Sequence, residues 1–167
     1  MPSVLFVCTA NRFRSPLAAA LFAKVLQEKG VASDWRIGSA GTWAIPRQPT
    51  IPRVLSIARR FGIDLSEHSS MIVSRRLLSE YDLILVMQAS HREALLTEFP
   101  ELTERIYLLS DVVEHHSYDI PDSLESEAGV LEVLTELQDL LRRGQDSICA
   151  LAAYLYKIRQ QAGPRNR

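Results

Sequence analysis

Near its start the chain carries an unbroken apolar run, Val4-Leu5-Phe6-Val7, too short for a helix and bounded by polar positions. Such a run predicts a strand covered on both faces, here Ser3 to Val7. The run from Leu83 to Met87 predicts a second strand of the same kind. Shorter runs predict strands at Trp35 to Ser39 and Ile106 to Leu109. Between them the apolar spacing turns helical. Pro16 to Lys29 predicts a helix stopped by Gly30, and Val54 to Phe61 a helix ended at Gly62. Ser90 to Glu98 predicts another, with Ser90 as its N-cap. Ile45 to Pro52, which holds three prolines, predicts a loop, and so does the polar stretch Ser110 to Ser126. From about Gly129 onward leucines and valines recur at helical spacing, with Gly144 an expected break or kink. Gln160 to Arg167 is polar and predicts a frayed tail.

Strands alternating with helices predict an α/β fold: a parallel sheet flanked by helices on both faces. In such sheets ligands bind beyond the carboxyl ends of the strands. The first strand ends at Cys8, so this edge is where chemistry is to be sought. With 167 residues, 47% of them hydrophobic, one domain over residues 1–160 is expected, followed by a disordered tail at 161–167. A net charge of −1 argues against nucleic acid as partner. No apolar stretch approaches bilayer length and no signal peptide is evident, so a cytoplasmic protein without membrane insertion is expected. The two cysteines, Cys8 and Cys149, show no metal-ligand spacing, and neither metal nor cofactor is expected. His115 and His116 read as a solvated loop, and Cys149 as core.

Cys8 precedes Arg14 by six positions, with Thr9, Ala10, Asn11, Arg12 and Phe13 between them and Ser15-Pro16 after. Five residues can curl so that their N–H groups point inward and cradle an oxyanion. A helix starting near Ser15 adds its unpaired N–H groups and the positive end of its dipole. The planar fork of Arg14 meets two phosphate oxygens at once. The same donors favour the thiolate, which is the nucleophilic form of cysteine. One device thus binds the anion, activates the attacker and stabilises transition-state charge. Phosphoryl transfer to a thiolate also needs an acid at the leaving oxygen. The loop after the fourth strand offers Asp119 and Asp122, and spacing alone does not separate them.

These residues resemble the low-molecular-weight protein tyrosine phosphatases, whose signature is Cys, five residues, Arg, Ser, Pro near the N-terminus. Gly38 to Thr42, Gly62-Ile63-Asp64 with His68, and Tyr81 to Met87 match as well. The resemblance implies a four-stranded parallel sheet of flavodoxin-like order 2-1-3-4. It implies Cys8 as nucleophile, forming a phosphocysteine, and Arg14 as phosphate clamp. Asn11 would hold the loop in a left-handed conformation, and Ser15 would donate to the thiolate. Asp122 aligns with the family's acid–base aspartate. Ser39 and His68 match positions that brace the loop, and Trp43 the wall of the substrate cleft. The implied substrate is a phosphotyrosine-containing protein or a small aryl phosphate, with inorganic phosphate as product and inhibitor.

The departures from the family are specific. Ala10 stands where a glycine is usual, which adds strain if the position needs positive φ. Phe13 replaces a second cysteine that protects the nucleophile from irreversible oxidation. Ser123, Leu124 and Glu125 replace the proline and aromatics after the acid, leaving Leu124 or Trp43 to cover a substrate ring. Arg12 lies in the loop where phosphoarginine phosphatases of this fold place threonine, which argues against that activity; its charge would favour acidic substrates. Arsenate reductases of the fold need relay cysteines that this chain lacks. A phosphate-binding module with little turnover is the competing reading from another class.

Overall fold

The computed structural model describes residues 1–163. Four strands, β1 (Ser3–Cys8), β2 (Arg36–Gly41), β3 (Leu83–Val86) and β4 (Ile106–Leu108), form one parallel sheet in the order β2-β1-β3-β4. The predicted order is therefore the observed one. Six α-helices accompany them: α1 (Arg14–Glu28), α2 (Pro52–Arg59), α3 (Arg75–Ser79), α4 (Ala89–Glu98), α5 (Leu109–Glu114) and α6 (Glu127–Gln161). Every residue of β1 and β3 is buried, as their continuous apolar runs require. The pleat divides them by alternation. Val4, Phe6, Cys8, Leu83 and Leu85 join the core beneath α1, α2 and α6. Leu5, Val7, Ile84 and Val86 join a second core with Leu78 of α3 and Leu95 of α4. The register sets Cys8 beside Gly41 at the carboxyl edge, with β3 ending on the other side of β1.

Three expectations are corrected. The stretch from Ser110 is not all loop: α5 forms at its start because Leu109 and Val112 bury one side of a short helix. Gly144 does not break α6, which runs on through it. The glycine serves close packing instead, since a Cβ there would lie 2.3 Å from Val113 Cγ2 on α5. The cap of α4 is Gln88 rather than Ser90; Gln88 and His91 exchange hydrogen bonds in a capping box. Of the expected tail, Gln160 and Gln161 still belong to α6, and residues 164–167 lie outside the described residues. Cys149 is half-buried against the core, and burial raises the pKa of its thiol. No described helix is long and apolar enough to cross a membrane.

Candidate active site

Cys8 closes β1, and Arg14 opens α1 six residues later, so residues 9–13 form the turn between them. Four carbonyls of this turn, those of Cys8, Thr9, Asn11 and Arg12, are claimed from outside. Thr42 N–H donates to Cys8 O, Trp43 N–H to Thr9 O, and Ile51 N–H to Arg12 O, at 2.9, 3.0 and 3.2 Å. His68 Nε2 donates to Asn11 O at 2.7 Å. With the carbonyls held outward, the N–H groups of residues 9–13 are left to converge; among the described residues none of them donates to a protein acceptor. The first turn of α1 adds its own open donors, because Phe13 at the N-cap offers no side-chain hydrogen bond. Open N–H groups of this kind suit an anion. Gly41 makes the turn possible: a Cβ at that position would sit 2.3 Å from Thr9 O.

Asn11 is the keystone of the turn. Its φ of 56° lies in the left-handed region, which asparagine tolerates. Fully buried, it donates from Nδ2 to Ser15 Oγ (2.8 Å) and Ser39 Oγ (2.9 Å) and accepts Met71 N–H at Oδ1 (2.8 Å). Ser15 Oγ thereby accepts from Asn11 and keeps its own proton for Cys8 Sγ at 2.9 Å or Ala40 O at 3.2 Å. Ala10 is exposed and lies outside the left-handed region, so the strain expected there does not arise.

Arg14 is 2% exposed, a charge held inside the protein beneath the loop. Nη1 donates to Ile120 O at 2.9 Å, while Nε has no hydrogen-bond partner. Asp122 Oδ1 lies 3.4 Å from that Nε, and its side chain is half exposed. Asp119 points elsewhere: its carboxylate accepts Ala89 N–H at 2.8 Å and pins the start of α4. Geometry therefore separates the two aspartates that spacing left equal. Asp122 stands beside the guanidinium and open to solvent; Asp119 is a structural tether.

The rim carries the remaining candidates. Trp43 is 82% exposed and Ile45 70%, two bare apolar side chains on the loop after β2. Leu124 instead packs half-buried against the core. Phe13 is buried where a second thiol would stand. Arg12 Nε donates to Pro49 O at 2.8 Å, which ties its side chain along the proline-rich loop. Sequence reasoning missed His91. This buried histidine touches Thr9 Oγ1 through Nε2 at 2.8 Å and accepts Gln88 N–H at Nδ1 at 3.1 Å, which assigns the proton to Nε2. Burial, then the charge of Arg14, pushes its pKa down to about 4. Its position just past β3, at the ligand-binding edge of the sheet, was the available signal. Met71 N–H and the carbonyls of Ala40 and Ile120 were not foreseeable, because backbone groups carry no signature in sequence.

The profile of the low molecular weight phosphotyrosine protein phosphatases matches residues 3–151. The probable low molecular weight protein-tyrosine-phosphatase EpsP of Ralstonia nicotianae is 30% identical over 87% of this chain and 92% of its own length. The protein-arginine-phosphatase of Bacillus subtilis is 28% identical over 84% of this chain and 92% of its own. Among solved structures, YwlE arginine phosphatase bearing a phosphorylated active-site serine superposes with a TM-score of 0.81 at 28% identity, covering 95% and 98% of the two chains. A low molecular weight protein tyrosine phosphatase from T. tengcongensis gives 0.80 at 28% identity, covering 90% and 99%. With its family profile spanning most of the chain, on a parallel sheet whose first strand ends in the Cys8 loop, this protein belongs to the low molecular weight phosphotyrosine protein phosphatase family.

Proposed function

We propose that the chain hydrolyses phosphotyrosine or related aryl phosphate monoesters through a phosphocysteine at Cys8. The observation that carries this reading is one arrangement: the N–H groups of residues 9–13, after Cys8, without a protein acceptor among the described residues, the Ser15 hydroxyl 2.9 Å from the sulfur, and Asp122 3.4 Å from Arg14 Nε. In the first step Cys8 Sγ attacks phosphorus, the S–P bond forms and the P–O(aryl) bond breaks. Asp122 gives its proton to the departing oxygen. The loop N–H groups and Arg14 hold the three equatorial oxygens, where charge is spread. In the second step Asp122, now a carboxylate, takes a proton from water as that oxygen attacks phosphorus. The S–P bond breaks, Ser15 donates to the returning thiolate, and inorganic phosphate leaves. Asn11, Ser39 and His68 act by holding the loop open. Trp43 supplies an apolar face for the aryl ring.

Phosphoarginine hydrolysis is the second reading, favoured by the likeness to the Bacillus subtilis arginine phosphatase. Against it stands Arg12, whose guanidinium is fastened to Pro49 O at the loop. A phosphoarginine substrate would bring a second guanidinium to the same rim, and like charges there repel. The test is hydrolysis of aryl phosphate, phosphotyrosine peptide and phosphoarginine, with chelator present, by wild type, Cys8→Ser and Asp122→Ala. The reading expects turnover of the first two, none by Cys8→Ser, and a loss of about 10²–10⁴ in Asp122→Ala. A folded wild type that binds phosphate yet turns over none of the three is a binding module, and the reading fails.

A further inference from the structure

We infer that Arg53 is a positioning residue of the phosphatase reaction, splinting the acid loop so that Asp122 stays beside Arg14. The inference rests on the phosphatase reading above. In this chain Asp122 is followed by Ser123, Leu124 and Glu125, with no proline to stiffen the turn. The segment needs another restraint, because a flexible loop spreads its carboxyl over many positions and catalysis depends on one of them.

The structure supplies that restraint from α2. Arg53 Nη1 donates to Leu124 O at 2.6 Å. Arg60, seven residues on and so on the same side of the helix, pairs with Glu127 at the start of α6. Between Ile120 and Ser126, within the described residues, Leu124 packs half-buried against the core, and the other polar side-chain tie to the body of the protein is the Arg14–Asp122 contact itself. Leu124 N–H only closes a local turn on Asp122 O. Arg53 is thus the bond that holds the far side of the loop.

Its own anchorage joins the two halves of the site. The stretch before α2 is fastened to the phosphate loop twice, by Arg12 Nε to Pro49 O at 2.8 Å and by Ile51 N–H to Arg12 O at 3.2 Å. Pro52 opens α2 directly after. The connections close a ring. It runs from the phosphate loop through residues 49–53 to Leu124, along the acid loop to Ile120, and back through Arg14 Nη1 to the phosphate loop. Cutting the ring at Arg53 leaves Cys8 and Arg14 in place and frees the acid alone.

That selectivity defines the experiment. A general acid matters when the leaving group is a poor one and hardly at all when it departs as a stable anion. kcat/KM would be measured on phenyl phosphate and on dinitrophenyl phosphate for wild type, Arg53→Met, Arg53→Lys, Asp122→Ala and the Arg53→Met/Asp122→Ala pair. Arg53→Met is expected to lose about tenfold on phenyl phosphate and under about twofold on dinitrophenyl phosphate. Arg53→Lys, which keeps a donor, restores most of the loss. The pair loses no more than Asp122→Ala alone, since both act through one carboxyl. Equal loss on the two substrates, no loss on either, or additive losses in the pair would overturn the assignment. If the wild type turns over no aryl phosphate, or Asp122→Ala does not discriminate leaving groups, the phosphatase reading is what fails. Amide hydrogen exchange then decides the splint by itself: faster exchange across residues 121–126 in Arg53→Met upholds it, and unchanged exchange ends it.

Discussion

Replacing Asn11 tests the architecture of the anion loop more sharply than replacing any charged residue. Asn11→Ala removes three hydrogen bonds made by a buried side chain, to Ser15, Ser39 and Met71. At about 0.5–1.5 kcal/mol each, these are worth roughly 1.5–4.5 kcal/mol. It also forces alanine to hold a φ of 56°, at a further cost of about 1 kcal/mol. The expected destabilisation is about 3–5 kcal/mol. Asn11→Gly loses the same bonds without the left-handed penalty and should be more stable than the alanine variant by about 1 kcal/mol. Reversible urea unfolding followed by circular dichroism reads both values; for a chain of this size each kcal/mol moves Tm by about 2–4 °C. Aryl phosphate turnover should fall in both variants, because the N–H groups no longer converge. The reasoning is refuted if the alanine variant lies within about 0.5 kcal/mol of wild type, or if alanine and glycine are equally stable.

Other consequences are equally direct. Gly144→Ala places a methyl 2.3 Å from Val113 Cγ2; a loss of about 1–3 kcal/mol is expected, with recovery in the Gly144→Ala/Val113→Ala pair, and stability unchanged by the single substitution would contradict the packing role. His91 has a folded pKa pushed down to about 4 from 6.5. The unfolded chain therefore takes up the proton first, and His91 costs stability as pH falls from about 6.5 toward 4. Urea midpoints across that window should fall less steeply in His91→Gln than in wild type. Phe13 stands before Arg14, and the other thiol, Cys149, lies on α6 with its pKa raised by burial. After prolonged peroxide Cys8 should reach sulfinic or sulfonic acid, and activity that returns in full with a thiol reductant would show a protecting partner.

The parallel sheet was legible because β1 and β3 are continuous apolar runs, a pattern that strands covered on both faces need; its order came only from the resemblance to the family. The Cys8 loop was legible because nucleophile and clamp lie within one short stretch of sequence. Asp122 was legible only through the resemblance and not from spacing, since Asp119 and Asp122 differ in what they touch across the fold, one meeting Ala89 N–H and the other Arg14. Gly144 misled for a related reason. Glycine lowers local helix propensity, but whether it breaks a helix or admits a neighbour depends on what faces it, here Val113. α5 was hidden because it is short and its helix rests on two buried residues, Leu109 and Val112, rather than on a periodic run. Arg53 acts through a backbone partner far away in sequence, and nothing local marks it, while His91 was marked only by its place just past β3.

The central claim is that Cys8 carries the phosphoryl group. Rapid quench of wild type in acid during turnover of an aryl phosphate, followed by mass spectrometry of the Cys8 peptide, reads it directly. The account predicts one added phosphoryl group on Cys8, formed in a burst with release of the aryl alcohol and absent from Cys8→Ser. Steady turnover with release of the alcohol, no adduct on Cys8 at any quench time and activity retained in Cys8→Ser would contradict it.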